Sequence, residues 1–132
     1  MGGEPWDYFV PFETSVEAAL EALRQSVFES GRFLGREMKP ATPEEALRNA
    51  EASGTRSILD IMFVADSPGF FSVCPLPDAQ LKSLFGTARP THEMIEANMD
   101  FYEDIERGQG IYIVVYKHDK PAEYFFAGYS FD

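Results

Sequence analysis

Apolar positions along the chain recur with two different periods. From Ile111 to Tyr116 six consecutive residues are β-branched or aromatic. A run with apolar side chains on both faces fits an interior strand better than an edge strand. His118-Asp119-Lys120-Pro121 follows as a turn, and Ala122 to Phe131 reads as a second, aromatic-rich strand. The chain is therefore expected to end in a hairpin around which the rest packs. Trp6 to Phe12 is also aromatic and β-prone, but Pro11 confines it to an edge or a strand end. Arg56 to Val64, with Ile58, Leu59, Ile61, Met62 and Phe63, predicts another strand. Ser67-Pro68-Gly69 predicts a turn and Phe70 to Cys74 a partner strand, stopped by Pro75 and Pro77.

Helical spacing appears elsewhere. Thr14-Ser15-Val16-Glu17 matches a capping box. Beyond it Val16, Ala19, Leu20, Leu23 and Val27 share one face, with Glu17, Glu21, Arg24 and Gln25 opposite, until Ser30-Gly31. Arg32 to Ala41 carries no strong pattern beyond a short extended piece at Arg32-Phe33-Leu34. Thr42-Pro43-Glu44-Glu45 opens a helix that runs to Ser53 and closes at Gly54. Asp78 to Phe85 is a short helix closed by Gly86. Pro90-Thr91 opens the last and longest helix, His92 to Arg107, stopped by Gly108. No internal repeat or linker is present, so residues 1–132 are expected to form a single globular domain. The expected fold class is α+β: a mainly antiparallel sheet of about four to five strands, with helices packed on at least one face.

Charge narrows the function classes. Lys and Arg number 11 against 22 Asp and Glu, a formal net charge of −11. Nucleic acid and anionic membrane surfaces are disfavoured partners, because binding to either depends on basic side chains. A basic protein is a permitted one. No run approaches the length of a membrane span, and the start of the chain has neither the basic nor the apolar part of a signal peptide. The default location is cytoplasmic. The single Cys74 excludes an internal disulfide and a cysteine-rich zinc site. His92 and His118 stand in no ligand spacing, so no intrinsic metal or covalent cofactor is expected. No Gly-rich phosphate loop and no nucleophile-elbow serine occur, and no catalytic residue is assigned.

Two groups of residues carry the functional candidates. On a continuous helix over 92–107, Met94, Ile95, Met99, Phe101, Tyr102 and Ile105 share one face. Glu93, Glu96, Asp100, Glu103 and Asp104 gather on the other. Like charges at these spacings weaken a helix slightly, so the stripe does not serve helix stability. It is either a solvated face, the binding surface for a basic partner or a weak site for a divalent ion. The second group is Trp6, Tyr8, Asp60 and Tyr129. Asp60 sits in an apolar run, where a carboxylate is either solvated or buried and paired, with Arg56 or Arg89 as the nearest cations to hand. If buried with a raised pKa beside the three aromatic rings, it is a candidate acid in a small-molecule cleft. The leading expectation is an acidic, non-enzymatic binding or regulatory protein of the immunity type, engaging a basic protein through the 92–107 helix. The alternative is a small enzyme or ligand-binding domain built on Asp60 and the aromatic cleft.

Three strings, Gly54-Thr-Arg-Ser-Ile-Leu-Asp60, Phe85-Gly-Thr-Ala-Arg-Pro-Thr91 and Phe126-Ala-Gly-Tyr-Ser-Phe-Asp132, resemble in order and spacing a group of small uncharacterised bacterial proteins. The resemblance implies a bacterial, soluble, single-domain protein and brings no activity, cofactor or site residue with it.

Overall fold

The C-terminal hydrophobic run forms the middle of the sheet. In the computed structural model, which describes residues 3–132, five strands are ordered β1-β5-β4-β3-β2. They are β1 (Pro5–Pro11), β2 (Phe63–Val64), β3 (Ser72–Pro75), β4 (Gly110–Lys117) and β5 (Lys120–Tyr129). The two long pairings, β1 with β5 and β5 with β4, are antiparallel, while β4–β3 and β3–β2 are short and parallel. β4 thus has a neighbour on each side, and β1 lies at an edge, where the missing N–H of Pro11 is tolerated.

The hairpin turn is tighter than its sequence suggests. His118 and Asp119 alone form it, with φ of 53° and 63°. Positive φ at both central residues is the geometry that matches the twist of two right-handed strands. β5 therefore starts at Lys120 rather than Ala122. Pro121 fits inside it because the register shifts opposite, between Val115 and Tyr116.

Alternation along the strands divides the apolar residues between two cores. Tyr124, Phe126, Val73 and Trp6 face helices α1 (Val16–Ser30) and α2 (Pro43–Ala50). Phe125, Ala127, Ile111, Ile113 and Val115 face α3 (Asp78–Phe85) and α4 (His92–Ala97). The fold is α+β with helices on both faces. Helix starts and stops follow capping chemistry: Thr42 accepts from Glu45 N, Thr91 from Met94 N, and Gly31 and Gly86 close α1 and α3 at φ of 72° and 77°. At α1 the cap is Ser15, one residue beyond the predicted Thr14.

Four predictions are corrected. Arg56 to Val64 is not one strand. Arg56 is left-handed (φ 55°), the Ser57 hydroxyl accepts from Leu59 N at 3.1 Å, and Ile58–Asp60 is a turn of 3-10 helix. The reason is burial. Consecutive strand residues point to opposite faces, whereas the turn sends Ile58, Leu59 and Ile61 together into the core under α1 and α2. Only Phe63–Val64 pairs as a strand, and its partner β3 runs parallel to it, so 65–71 crosses over instead of reversing as a hairpin.

The predicted 92–107 helix is likewise broken. α4 ends at Ala97, and Asp100–Asp104 is a separate 3-10 segment. Asn98 makes the break: its side chain accepts from Asp100 N and donates to Leu84 O, both at 3.0 Å, replacing helical bonds with side-chain ones. The longest helix is α1. Finally, Arg24 is not on a solvated face. It is buried, with its guanidinium 2.9 Å from Glu44 and 3.3 Å from Glu21.

Candidate functional site

The break at Asn98 redistributes the acidic residues. Glu93 and Glu96 lie on α4, and Asp100, Glu103 and Asp104 on the 3-10 segment, so no single helical stripe exists. All five are exposed. Glu96 lies 3.4 Å from His92 Nε2, and Asp104 accepts from Gln80 Nε2 at 3.0 Å. Met94, predicted to be apolar-facing, is exposed. Ile95, Phe101 and Ile105 of that predicted face are buried in the core, and Met99 and Tyr102 pack against it partly buried.

The predicted aromatic pocket does not assemble. Trp6 and Tyr8 pack on the α1–α2 side of the sheet, and Tyr129 packs on the other side against Tyr102. The sheet lies between them. Tyr8 accepts a hydrogen bond from Ile58 N, and burial raises its pKa.

Asp60 is fully buried, and no arginine holds it. One carboxyl oxygen accepts from Thr55 N at 2.6 Å and from the Thr55 hydroxyl at 2.7 Å. The other receives the Ser130 hydroxyl at 2.5 Å. Ser130 in turn lies within 3.2 Å of Ser53 O and accepts from Arg56 N at 3.1 Å. Desolvation raises the pKa of Asp60 against these hydrogen bonds, which lower it. This closed cage ties the 53–60 loop to the C-terminal segment. Two of the three resemblance strings, 54–60 and 126–132, therefore meet in space.

A cleft of about 600 Å³ lies between the start of α4 and the β4–β5 hairpin, and both histidines line it. Its polar centre is His92. Nδ1 is 2.8 Å from Glu123, Nε2 is 3.4 Å from Glu96, and the ring stacks on Phe9 with centroids 3.7 Å apart. The Glu123 hydrogen bond leads in raising the His92 pKa, with the charges of Glu123 and Glu96 adding to it. Both ring nitrogens face carboxylates, an arrangement that favours the protonated form of the imidazole. The cluster joins α4, β5 and β1 as a clasp. By sequence His92 stands in no ligand spacing, and Glu123 lies far along the chain. Only strand alternation in β5, which turns Glu123 to the same face as Phe125, points towards it.

A second cleft, of about 200 Å³, is lined by both Asp66, in the β2–β3 crossover, and Asp104. Its floor is apolar, formed by Cys74, Leu76, Phe101, Ile105 and Ile111, all buried. Burial raises the Cys74 thiol pKa. Among the described residues no group of three or more His, Cys, Asp or Glu side chains is arranged to hold a metal ion. None of the described helices is long and apolar enough to cross a membrane.

No protein-family model matches the chain, and no curated protein or solved structure matches it significantly. Functional residues therefore rest on the geometry alone.

Proposed function

We propose that the protein is a non-enzymatic acidic binding protein, of the regulatory or immunity type, that engages a basic protein partner through the 92–104 segment. One observation carries the reading: Glu93, Glu96, Asp100, Glu103 and Asp104 are all exposed on a chain of net charge −11. None of the ion pairs seen at Arg24 and His92 involves Glu93, Asp100, Glu103 or Asp104, while Glu96 lies 3.4 Å from His92 Nε2. Such a surface steers a positively charged partner into contact and rejects acidic ones. The enzyme alternative loses support from Asp60, whose carboxyl is sealed inside its cage and has no route to a substrate.

The test is the triple reversal Glu96→Lys, Asp100→Lys and Glu103→Lys. Exposed changes of this kind move stability by about 0.5 kcal/mol each at most, so the variant should fold. Affinity capture with the wild-type chain should recover a basic protein whose retention weakens as salt rises. The triple variant should lose it. A folded variant that captures the same protein equally well overturns the reading.

A further inference from the structure

The cleft between Asp66 and Asp104 has a chemistry that selects its occupant, and it rests on the binding reading above. We infer that it receives one long cationic side chain, an arginine or a lysine, from the basic partner. Its volume of about 200 Å³ lies below the roughly 300–1,000 Å³ of cavities that take whole small-molecule ligands. It suits a single side chain.

The lining is divided by polarity. Buried Leu76, Phe101, Ile105 and Ile111 offer an apolar floor, while exposed Asp66 and Asp104 stand at the rim. No lysine, arginine or histidine lines it. Arginine and lysine are the side chains with that division, an apolar stem ending in a charged head. The stem covers the floor and the head sits between the carboxylates. A guanidinium has the advantage of a planar fork that meets two carboxylates at once. Asp104 already takes one hydrogen bond from Gln80 Nε2, at Oδ2, which leaves Oδ1 for the incoming group. An acidic side chain is repelled here, and a neutral one leaves the rim charges unmatched.

Position agrees with chemistry. Asp104 ends the 3-10 segment that carries Asp100 and Glu103, so the cleft is continuous with the proposed surface. Buried anchors in well-packed pockets dominate binding energy in such interfaces, and arginine is among the commonest of them.

The experiment is a methyl NMR titration of the full chain with a blocked glycine–arginine–glycine peptide. Controls replace arginine with citrulline, which has the same shape without the charge, or with norleucine. Saturable shifts should appear at Leu76, Ile105 and Ile111. Affinity should fall at least about tenfold with citrulline and in the Asp66→Asn/Asp104→Asn variant, as expected for a desolvated charge contact. Equal binding of citrulline or norleucine overturns the inference by making the cleft a plain apolar slot. Absence of shifts at those residues overturns it as well. Both aspartates are exposed, and if the double variant still fails to fold, the citrulline comparison on the wild-type chain decides. The two proposals fail separately. Partner capture lost in the Lys triple variant, with no arginine-peptide binding to the wild type, leaves the segment and removes the cleft. Capture that survives the triple variant but not the Asn pair removes the segment and leaves the cleft.

Discussion

The indole of Trp6 occupies the space that a side chain on Gly128 would need. A β-carbon built on Gly128 comes within 2.5 Å of Trp6 Cζ2, and one on Gly110 within 2.9 Å of Cη2. Trp6 pairs with Gly128, and Gly128 with Gly110, so three positions in a row across β1, β5 and β4 serve one ring. Gly128→Ala should destabilise the fold by about 1–3 kcal/mol, the range for overpacking a core. The same β-carbon would also lie 2.5 Å from the backbone oxygen of Gln109. Trp6→Phe should therefore relieve only the indole's part of the penalty, and the double variant should still be more stable than the two single effects predict. Urea unfolding of the four proteins measures both. Strict additivity would sink the account.

Asp60→Asn should keep the cage, because an amide nitrogen can donate to Ser130 while its oxygen still accepts from Thr55. Asp60→Ala leaves Thr55 N–H buried without its acceptor and should cost about 1–3 kcal/mol. The pH dependence has a definite sign. Burial raises the folded pKa of Asp60, so its contribution is complete below the ordinary aspartate value. It is lost as pH rises through the raised folded value. Denaturation midpoints across that window should slope downward in the wild type and less so in Asp60→Asn.

His92 works in the same direction at higher pH. Its pKa is raised chiefly by the hydrogen bond to Glu123. The clasp should therefore be complete below about 6.5, the ordinary histidine value, and lost as pH rises through the folded value. Glu123→Gln should bring the NMR titration midpoint of His92 down towards the ordinary value. The ring is partly exposed, so the stability change should stay within about 1 kcal/mol. An unmoved midpoint contradicts the clasp.

The hairpin turn is open to improvement. His118 and Asp119 both hold positive φ, where Asn and Gly are comfortable and most residues are strained. His118→Asn with Asp119→Gly should raise stability by about 1 kcal/mol without changing the register. Thermal unfolding checks the gain, and a lower midpoint refutes it.

Much of the architecture was legible from local chemistry. Ile111 to Tyr116 announces an interior strand, Pro11 an edge, and Thr42-Pro43 and Gly86 the ends of helices, because each depends on a residue's own backbone preference. The errors arose where local preference lost to burial. Ile58-Leu59-Asp60-Ile61 is β-prone as a string, yet the core under α1 takes Ile58, Leu59 and Ile61 on one side, which a strand cannot deliver. Asn98 was the overlooked cue in the predicted long helix, since an asparagine competes for backbone bonds.

The sequence by itself determined the acidic surface, the α+β class and the hairpin at the centre of the sheet. These follow from composition, period and turn residues, which act over a few neighbours. Only the tertiary structure decided which distant groups come together: Asp60 with Ser130, His92 with Glu123, Asp66 and Asp104 on one cleft, and Trp6 over two glycines. Those meetings depend on strand order and on crossovers between the two faces of the sheet. Order and crossover are fixed by burying both cores at once, a constraint that no local window of residues contains.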